Sequence, residues 1–339
     1  MATRVLITVD TELVWRHHAA GHGWEENFRR SYEAAGVGVP YQLRVLAEHG
    51  LKACFFVDPM PALVHGLEPI RRMVEPILAA GQEVQLHLHP FWAHLDEAER
   101  SGRTAELTRY GYEDQLEMIR QARDLLMAAG APNPLAFRAG SYAANTDTLR
   151  ALAELGFHFD SSHNGSHHPE PSAISLPRRQ VGPVAVAPGL IEIPVGQIEE
   201  KEGRLRHLQL CAISFAELRA ALRHADRQNH PVATIVSHSF ELATRRGLSS
   251  NGVIKNRFAR LCAFLASRRD KLPTVWFSDL DQIPVAVAAV PAPGRAGRRL
   301  LRLAGQLWGD ARYERPAESL TIAAGSSIAG AEMILPYVL

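Results

Sequence analysis

Short runs dominated by apolar and β-branched residues alternate along this chain with segments whose apolar residues recur at helical spacing. The strand-like runs are 5–10 (VLITVD), 53–58 (ACFFVD), 84–89 (VQLHLH), 135–140 (LAFRAG), 157–162 (FHFDSS), 190–196 (LIEIPVG), 233–239 (ATIVSHS) and 274–279 (TVWFSD). The helical segments carry start and stop signals. PYQLRVLAEHG and EDQLEMIRQARDLLMAAG both end in glycine. NTDTLRALAELG opens on an N-cap candidate, Asn145 or Thr146, and SFAELRAALRHADRQ opens on Ser214 with Glu217 three residues on, a capping-box pattern. Strand and helix in alternation predict a parallel α/β sheet or barrel.

Polar residues fall late in these strands: Asp10 in the first, His87 and His89 in the third, Arg138 in the fourth, Asp160 in the fifth and His238 in the seventh. In a β/α barrel the carboxyl ends of the strands are where functional side chains gather. His87 and His89 are two apart and so share one face of a strand. On a solvent-facing strand they would be an ordinary polar face. In a parallel barrel both faces are covered, which favours two imidazoles converging on a metal. The segment 163–189, rich in Pro, Gly and His, is too long for a simple connection and reads as an excursion over the mouth. Its His163, His167 and His168 are read as loop residues before metal ligands.

Composition narrows this further. The 339 residues, 46% hydrophobic and 22% charged, suffice for one large domain or two modest ones. A net charge of +1 gives no footprint for nucleic acid. Cys54, Cys211 and Cys262 are isolated, so neither a disulfide framework nor a cysteine zinc site is expected. The opening MATRVLITVDTE runs straight into a strand-like segment, so no signal peptide is expected, and no apolar run reaches membrane-spanning length. A reduced, cytoplasmic protein follows, with residues 1–284 as the barrel, 285–294 (VAVAAVPAPG) as a Pro/Ala linker and 295–339 as a C-terminal extension. In that extension RAGRRLLRLAGQLW (295–308) is an amphipathic helix, with Arg295, Arg298, Arg299 and Arg302 on one side and Leu300, Leu303, Ala304, Leu307 and Trp308 opposite. It either docks on the barrel or makes a peripheral membrane contact.

Five short motifs, in order, resemble those of the polysaccharide deacetylase superfamily, the NodB-homology carbohydrate esterases, over roughly residues 3–283. TVDTE (8–12) stands where that family has its first acidic motif, and GQEVQLHLHPFW (81–92) where it has its histidine motif. FRAGSY (137–142) carries the expected arginine, DSS (160–162) matches the fourth region, and VSHSF (236–240) the last. The resemblance implies a distorted (β/α)7 TIM-like barrel and a divalent metal, usually zinc, held by one acidic side chain and two histidines. It further implies hydrolysis of an N-acyl group on a sugar, with an aspartate as base and a histidine protonating the leaving amine. Carried over, Asp10 is the base, Arg138 its orienting partner, His238 the acid and His87 the first metal histidine.

Two departures from the family pattern matter. Thr11 follows Asp10 where a second aspartate is usual, which makes Glu12 the acidic ligand, with Asp10 as the alternative. Phe91 stands where the second histidine is usual, so His89 takes that role, with His94 as the outside candidate. Asp160 is read as holding His238 or the loop. Tyr142 offers a backbone or hydroxyl donor to an oxyanion, and Trp92, with Phe91 and Trp15 nearby, a face for a sugar ring. The expected function is metal-dependent removal of an N-acyl, first an N-acetyl, group from a glycan or glycolipid. The alternatives are a hydrolase of another non-peptide C–N bond (formamide, ureide or cyclic imide) and a catalytically silent carbohydrate-binding relative.

Overall fold

The structure is a computed structural model in which residues 2–93, 106–200, 203–285 and 289–314 are described. Its strands are β1 (Arg4–Thr11), β2 (Cys54–Val57), β3 (Glu83–Leu88), β4 (Ala136–Ala139), β5 (Phe159–Asp160), β6 (Val184–Ala187), β7 (Leu190–Glu192), β8 (Gln197–Glu199), β9 (Leu205–His207), β10 (Val232–His238) and β11 (Ala292–Pro293). The helices are α1 (Trp15–Ala19), α2 (Trp24–Ser31), α3 (Val39–Glu48), α4 (Ala62–His65), α5 (Glu68–Ala79), α6 (Tyr112–Ala128), α7 (Thr146–Glu154), α8 (Phe215–Arg227), α9 (Gly252–Ala266) and α10 (Ala296–Gly309).

The main sheet runs in the order β10-β1-β2-β3-β4-β5-β7-β6. The first seven are parallel, and β6 returns antiparallel on β7. This sheet curls into a half-barrel, the α/β architecture expected. Beyond β7 the chain bridges toward β10, with Val195 N–H donating to His163 O and Gly196 N–H to Thr234 O, each at 3.0 Å. A small second sheet, β11-β8-β9, stands beside it.

Side-chain alternation divides the barrel into two environments. Val5, Ile7 and Val9 of β1 and Phe55 and Val57 of β2 join the large apolar cluster under the helices. Leu6, Cys54, Phe56, Ala136, Phe159 and Val232 turn inward and form a second cluster, with Phe277, Leu280 and Ile283. Farther along the same inward faces come Thr8, Asp10 and His238. The interior is thus apolar at the amino end of the strands and polar at the carboxyl end.

The capping signals act as read. Asn145 accepts from Thr148 N and Ser214 from Glu217 N, each completing a reciprocal box. The segment 274–279 does not form the eighth strand. Thr274 makes one parallel bridge to Val5, and then Phe277–Leu280 coils into a 3-10 turn. Carboxylates enforce that turn: Glu83 accepts the N–H groups of Phe277 and Ser278, and Asp279 accepts that of Trp276. The stretch read as a Pro/Ala linker contributes β11, which pairs Ala292 and Pro293 with Ile198 and Glu199.

Candidate active site

Asp10 and Glu12 leave β1 on one face, as His87 and His89 leave β3. Thr11, between the two carboxylates, turns away and its hydroxyl donates to Val9 O (3.1 Å). Thr11 therefore faces outward, and Glu12, like Asp10, shares the interior with the histidines. Glu12, His87 and His89 are buried and bring one ligand atom each within 4.8 Å of one another. Glu12 Oε2 lies 2.6 Å from His89 Nε2 and 3.9 Å from His87 Nε2.

This group fits a divalent cation on its chemistry. Two imidazole nitrogens and one carboxylate oxygen make a zinc-type donor set. His87 Nδ1 sits 2.8 Å from the Arg138 carbonyl, which can only accept, so Nδ1 carries the hydrogen and Nε2 presents its lone pair to Glu12. Burial brings the His87 pKa down to about 4, which keeps that ring neutral. For His89, burial works against the charged ring, but Glu12 outweighs it and the pKa rises. Burial would push Glu12 up, yet His89, His87 and His238 hold it at about 2. Despite the short contact to Glu12, His89 Nε2 makes no well-formed hydrogen bond, as expected of a donor that shares a common point with Glu12 and His87, and Nδ1 is also unpartnered. Pro90 ends the strand just past His89 and begins a 3-10 turn, Pro90–Trp92. Gly140 lets His89 fit: a Cβ there would lie 2.3 Å from His89 Nδ1. His94, the outside candidate for the second histidine, lies outside the described residues.

Beside this group is an ion pair. Arg138 Nη1 donates to Asp10 Oδ1 at 2.6 Å and to Thr8 Oγ1 at 2.8 Å. Its Nε and Nη2 are held by Ser161 O and Oγ, and Phe56 lies under the guanidinium at 4.3 Å. Arg138 is therefore fixed on several sides, and Asp10 is held with Oδ2 directed to His238, whose Nε2 is 3.8 Å away. His238 is anchored by Gln209, whose Nε2 is 3.2 Å from Nδ1.

Asp160 stands outside this cluster. Phe159 takes the inward face of β5, so by alternation Asp160 points the other way, receiving Ser162 Oγ–H at 2.6 Å beside Glu192. Burial, first, raises both carboxyls of the Asp160–Glu192 pair. Asp160 thus contacts Ser162 at the start of the loop, and the His238 ring is contacted by Gln209. Trp92 is packed among Trp15, His18, His65 and Phe91 and is 1% exposed, so it presents no open face to a sugar. Tyr142 lies against the rings of His167 and His207 with its buried hydroxyl unpartnered. Burial, then the Asp10 charge, lifts its pKa well above the usual phenol value. Ser141 and Tyr142 both adopt positive φ, 55° and 59°, a costly backbone for side-chain-bearing residues at this site. His163 is buried, with Nε2 3.2 Å from Pro177 O, and His168 Nδ1 is 3.0 Å from Ser172 O. Neither they nor His167 joins the ligand group.

Sequence reasoning missed Asp58. It follows β2, is buried, and keeps Oδ2 without a hydrogen-bond partner while Oδ1 accepts from Met60 N. Burial, opposed by His89, brings its pKa up to about 7. Its position at the carboxyl end of a strand was the available signal.

A family model described as Polysaccharide deacetylase matches residues 35–159, which include His87, His89 and Arg138. Residues 35–159 belong to the polysaccharide deacetylase family. In that stretch the chain is similar to hydrolases of the deacetylase type. Among curated proteins none matches the sequence. Among solved structures, a protein assigned as a polysaccharide deacetylase from Mycobacterium smegmatis is similar in fold, with a TM-score of 0.50 and 21% identity over 81% of this chain and 94% of that one. A family 4 carbohydrate esterase from Streptomyces lividans, in complex with acetate, matches with a TM-score of 0.41 and 14% identity, covering 86% of this chain and 98% of that one. A CE4 family pseudoenzyme from Bacillus anthracis matches with a TM-score of 0.41 and 11% identity, covering 87% and 70%.

Proposed function

We propose that this chain is a deacetylase that hydrolyses an N-acyl group, first an N-acetyl group, on a sugar of a glycan or glycolipid, using a divalent metal of which zinc fits best. The observation that carries the reading is the convergence of Glu12, His87 and His89 on one point, with the Asp10–Arg138 pair and His238 beside it. A lipid-borne sugar is included because α10 exposes a row of leucines at the same end of the barrel.

Glu12, His87 and His89 would hold the metal. When bound, such an ion supplies a Lewis acid for the acyl oxygen and a water of lowered pKa. Asp10 stays outside that set and takes the proton of the attacking water. Arg138 pairs with its Oδ1 and leaves Oδ2 directed inward. The proton taken by Asp10 then passes to the leaving nitrogen, toward which the Nε2–H of His238 is the positioned donor. Tyr142, kept neutral by burial, offers a hydroxyl donor toward charge developing on the acyl oxygen.

The test is elemental analysis of the purified chain, then acetate release from N-acetylated sugars with and without added zinc after chelation. The reading expects about one metal per chain and zinc-restored release. A metal-loaded chain that frees no acyl group from any N-acyl sugar overturns it.

A further inference from the structure

Helix α10 docks through its charged side. Arg302 is 2% exposed, its Nε donating to Glu217 Oε1 at 3.3 Å while Nη2 pairs with Glu200. The opposite side is left to solvent: Leu300 is 67%, Leu307 71% and Trp308 56% exposed, with Leu301 and Leu303 beside them. Singly exposed leucines are ordinary, but five large apolar residues on one helix are, among the described residues, an unpartnered face.

The position of this face follows from connectivity. A short link, 228–231, joins the end of α8 to the start of β10, so α8 begins at the carboxyl end of the barrel. Glu217, which holds Arg302, is in the first turn of α8. Helix α9 also begins at that end, after β10, and Tyr313 closes on its first residue, Gly252. Glu314 accepts the Arg245 N–H, and the Arg245 carbonyl accepts Arg16 Nε, four residues from Glu12. The leucine face thus lies at the end of the barrel that carries Asp10, Glu12 and His238.

Its margins are basic. Arg295 and Arg299 are exposed, Arg298 is half-buried, and Arg219 of α8 is exposed close to Arg298. Of the carboxylates on this side, Glu200 and Glu217 are matched by Arg206 and Arg302 and Glu314 accepts the Arg245 N–H, which leaves Asp310, exposed at the end of α10, against these arginines. A Leu/Trp face edged by arginines suits the headgroup layer of a membrane, where long basic side chains reach phosphates while the leucines sink below. Among the described residues no helix is long and apolar enough to cross a membrane, so a contact of this kind lies on the surface.

We propose that α10 lies in the surface of an anionic bilayer and holds the mouth of the barrel toward that surface. Delivery of a lipid-borne acyl sugar to the mouth rests on the proposed function, but the surface contact does not.

The experiment is sedimentation of the full, metal-loaded chain with vesicles of phosphatidylglycerol and phosphatidylcholine in equal parts, and of phosphatidylcholine alone. Binding should be at least about tenfold tighter to the anionic vesicles and should weaken with salt. Leu300→Glu with Leu307→Glu, at exposed positions, should cost more than about tenfold in binding. Acetate release from a soluble N-acetyl sugar should be unchanged, which separates this contact from the chemistry. Arg295→Glu with Arg299→Glu, if the leucine variant misfolds, should reduce binding to anionic vesicles alone. A full chain that stays in the supernatant with anionic vesicles overturns the proposal. So does a leucine variant that binds as the parent does, or a dimer, seen by light scattering, that the leucine variant breaks while neither protein binds vesicles.

Discussion

Gln209 Nε2 stands 3.2 Å from Nδ1 of His238 and donates to Glu241 Oε1 at 2.8 Å. The carboxylate can only accept, which fixes the amide with its NH2 end toward both partners. His238 Nδ1 is then the acceptor, and the hydrogen of the neutral ring sits on Nε2, the nitrogen facing Asp10. Gln209→Leu removes a neutral hydrogen bond worth about 1 kcal/mol. Turnover should fall about fivefold with KM and metal content unchanged. Metal lost along with activity would place Gln209 in support of the ligand group instead.

Asp10→Asn keeps an oxygen for Arg138 but removes the charge. Hydrolysis should fall at least about 100-fold, as for the loss of a general base. Arg138 is buried and would lose its counter-charge, so the melting temperature should fall as well. Metal content should hold. A variant with near-normal turnover would remove Asp10 from the proposed chemistry, and one purified without metal would make it a ligand.

The parts of this arrangement that follow a period of two were legible in the chain. Asp10 with Glu12 and His87 with His89 each share a face, and strand alternation alone dictates it. The caps at Asn145 and Ser214 were legible because both partners lie within three residues. What was not legible depends on partners far along the chain. Asp160 needed the inward packing of Phe159 to fix its face. Gln209 needed β10 beside it, and the turn at Phe277 needed Glu83, nearly two hundred residues earlier. The amphipathic helix at 295–308 was readable as such, but its docked side was not. Arg302 meets two buried carboxylates, and that outweighs the usual preference for burying leucines.

Burial also sets a pH dependence away from the metal ligands. His207 is lowered to about 3 and His163 to about 4, burial being the first cause for each. A histidine depressed in the folded state binds fewer protons there than in the unfolded chain, so its contribution is full above the unfolded value near 6.5. It is lost as pH falls from there through about 4 and then 3. The melting temperature of the chelator-treated chain should therefore drop steadily below about pH 6.5. His207→Gln should shallow that slope, because one group no longer titrates. An unchanged slope would mean that His207 is not a neutral buried ring.

The ligand set can be separated from its neighbours by metal content alone. Glu12→Gln, His87→Ala and His89→Ala should each purify with little bound metal, since each removes one of three converging donors. Thr11→Ala should retain it, because the Thr11 hydroxyl is turned back to Val9 O. His238→Ala should also retain it while losing turnover. Gly140→Ala supplies the sharpest contrast. It adds one methyl group, contributes no charge and removes no donor, yet its Cβ would lie 2.3 Å from His89 Nδ1. The His89 ring must move, and zinc affinity should fall at least about tenfold, the usual penalty for disturbing a ligand through its surroundings. If Gly140→Ala binds zinc as tightly as the parent, His89 does not need its present place and is not a ligand.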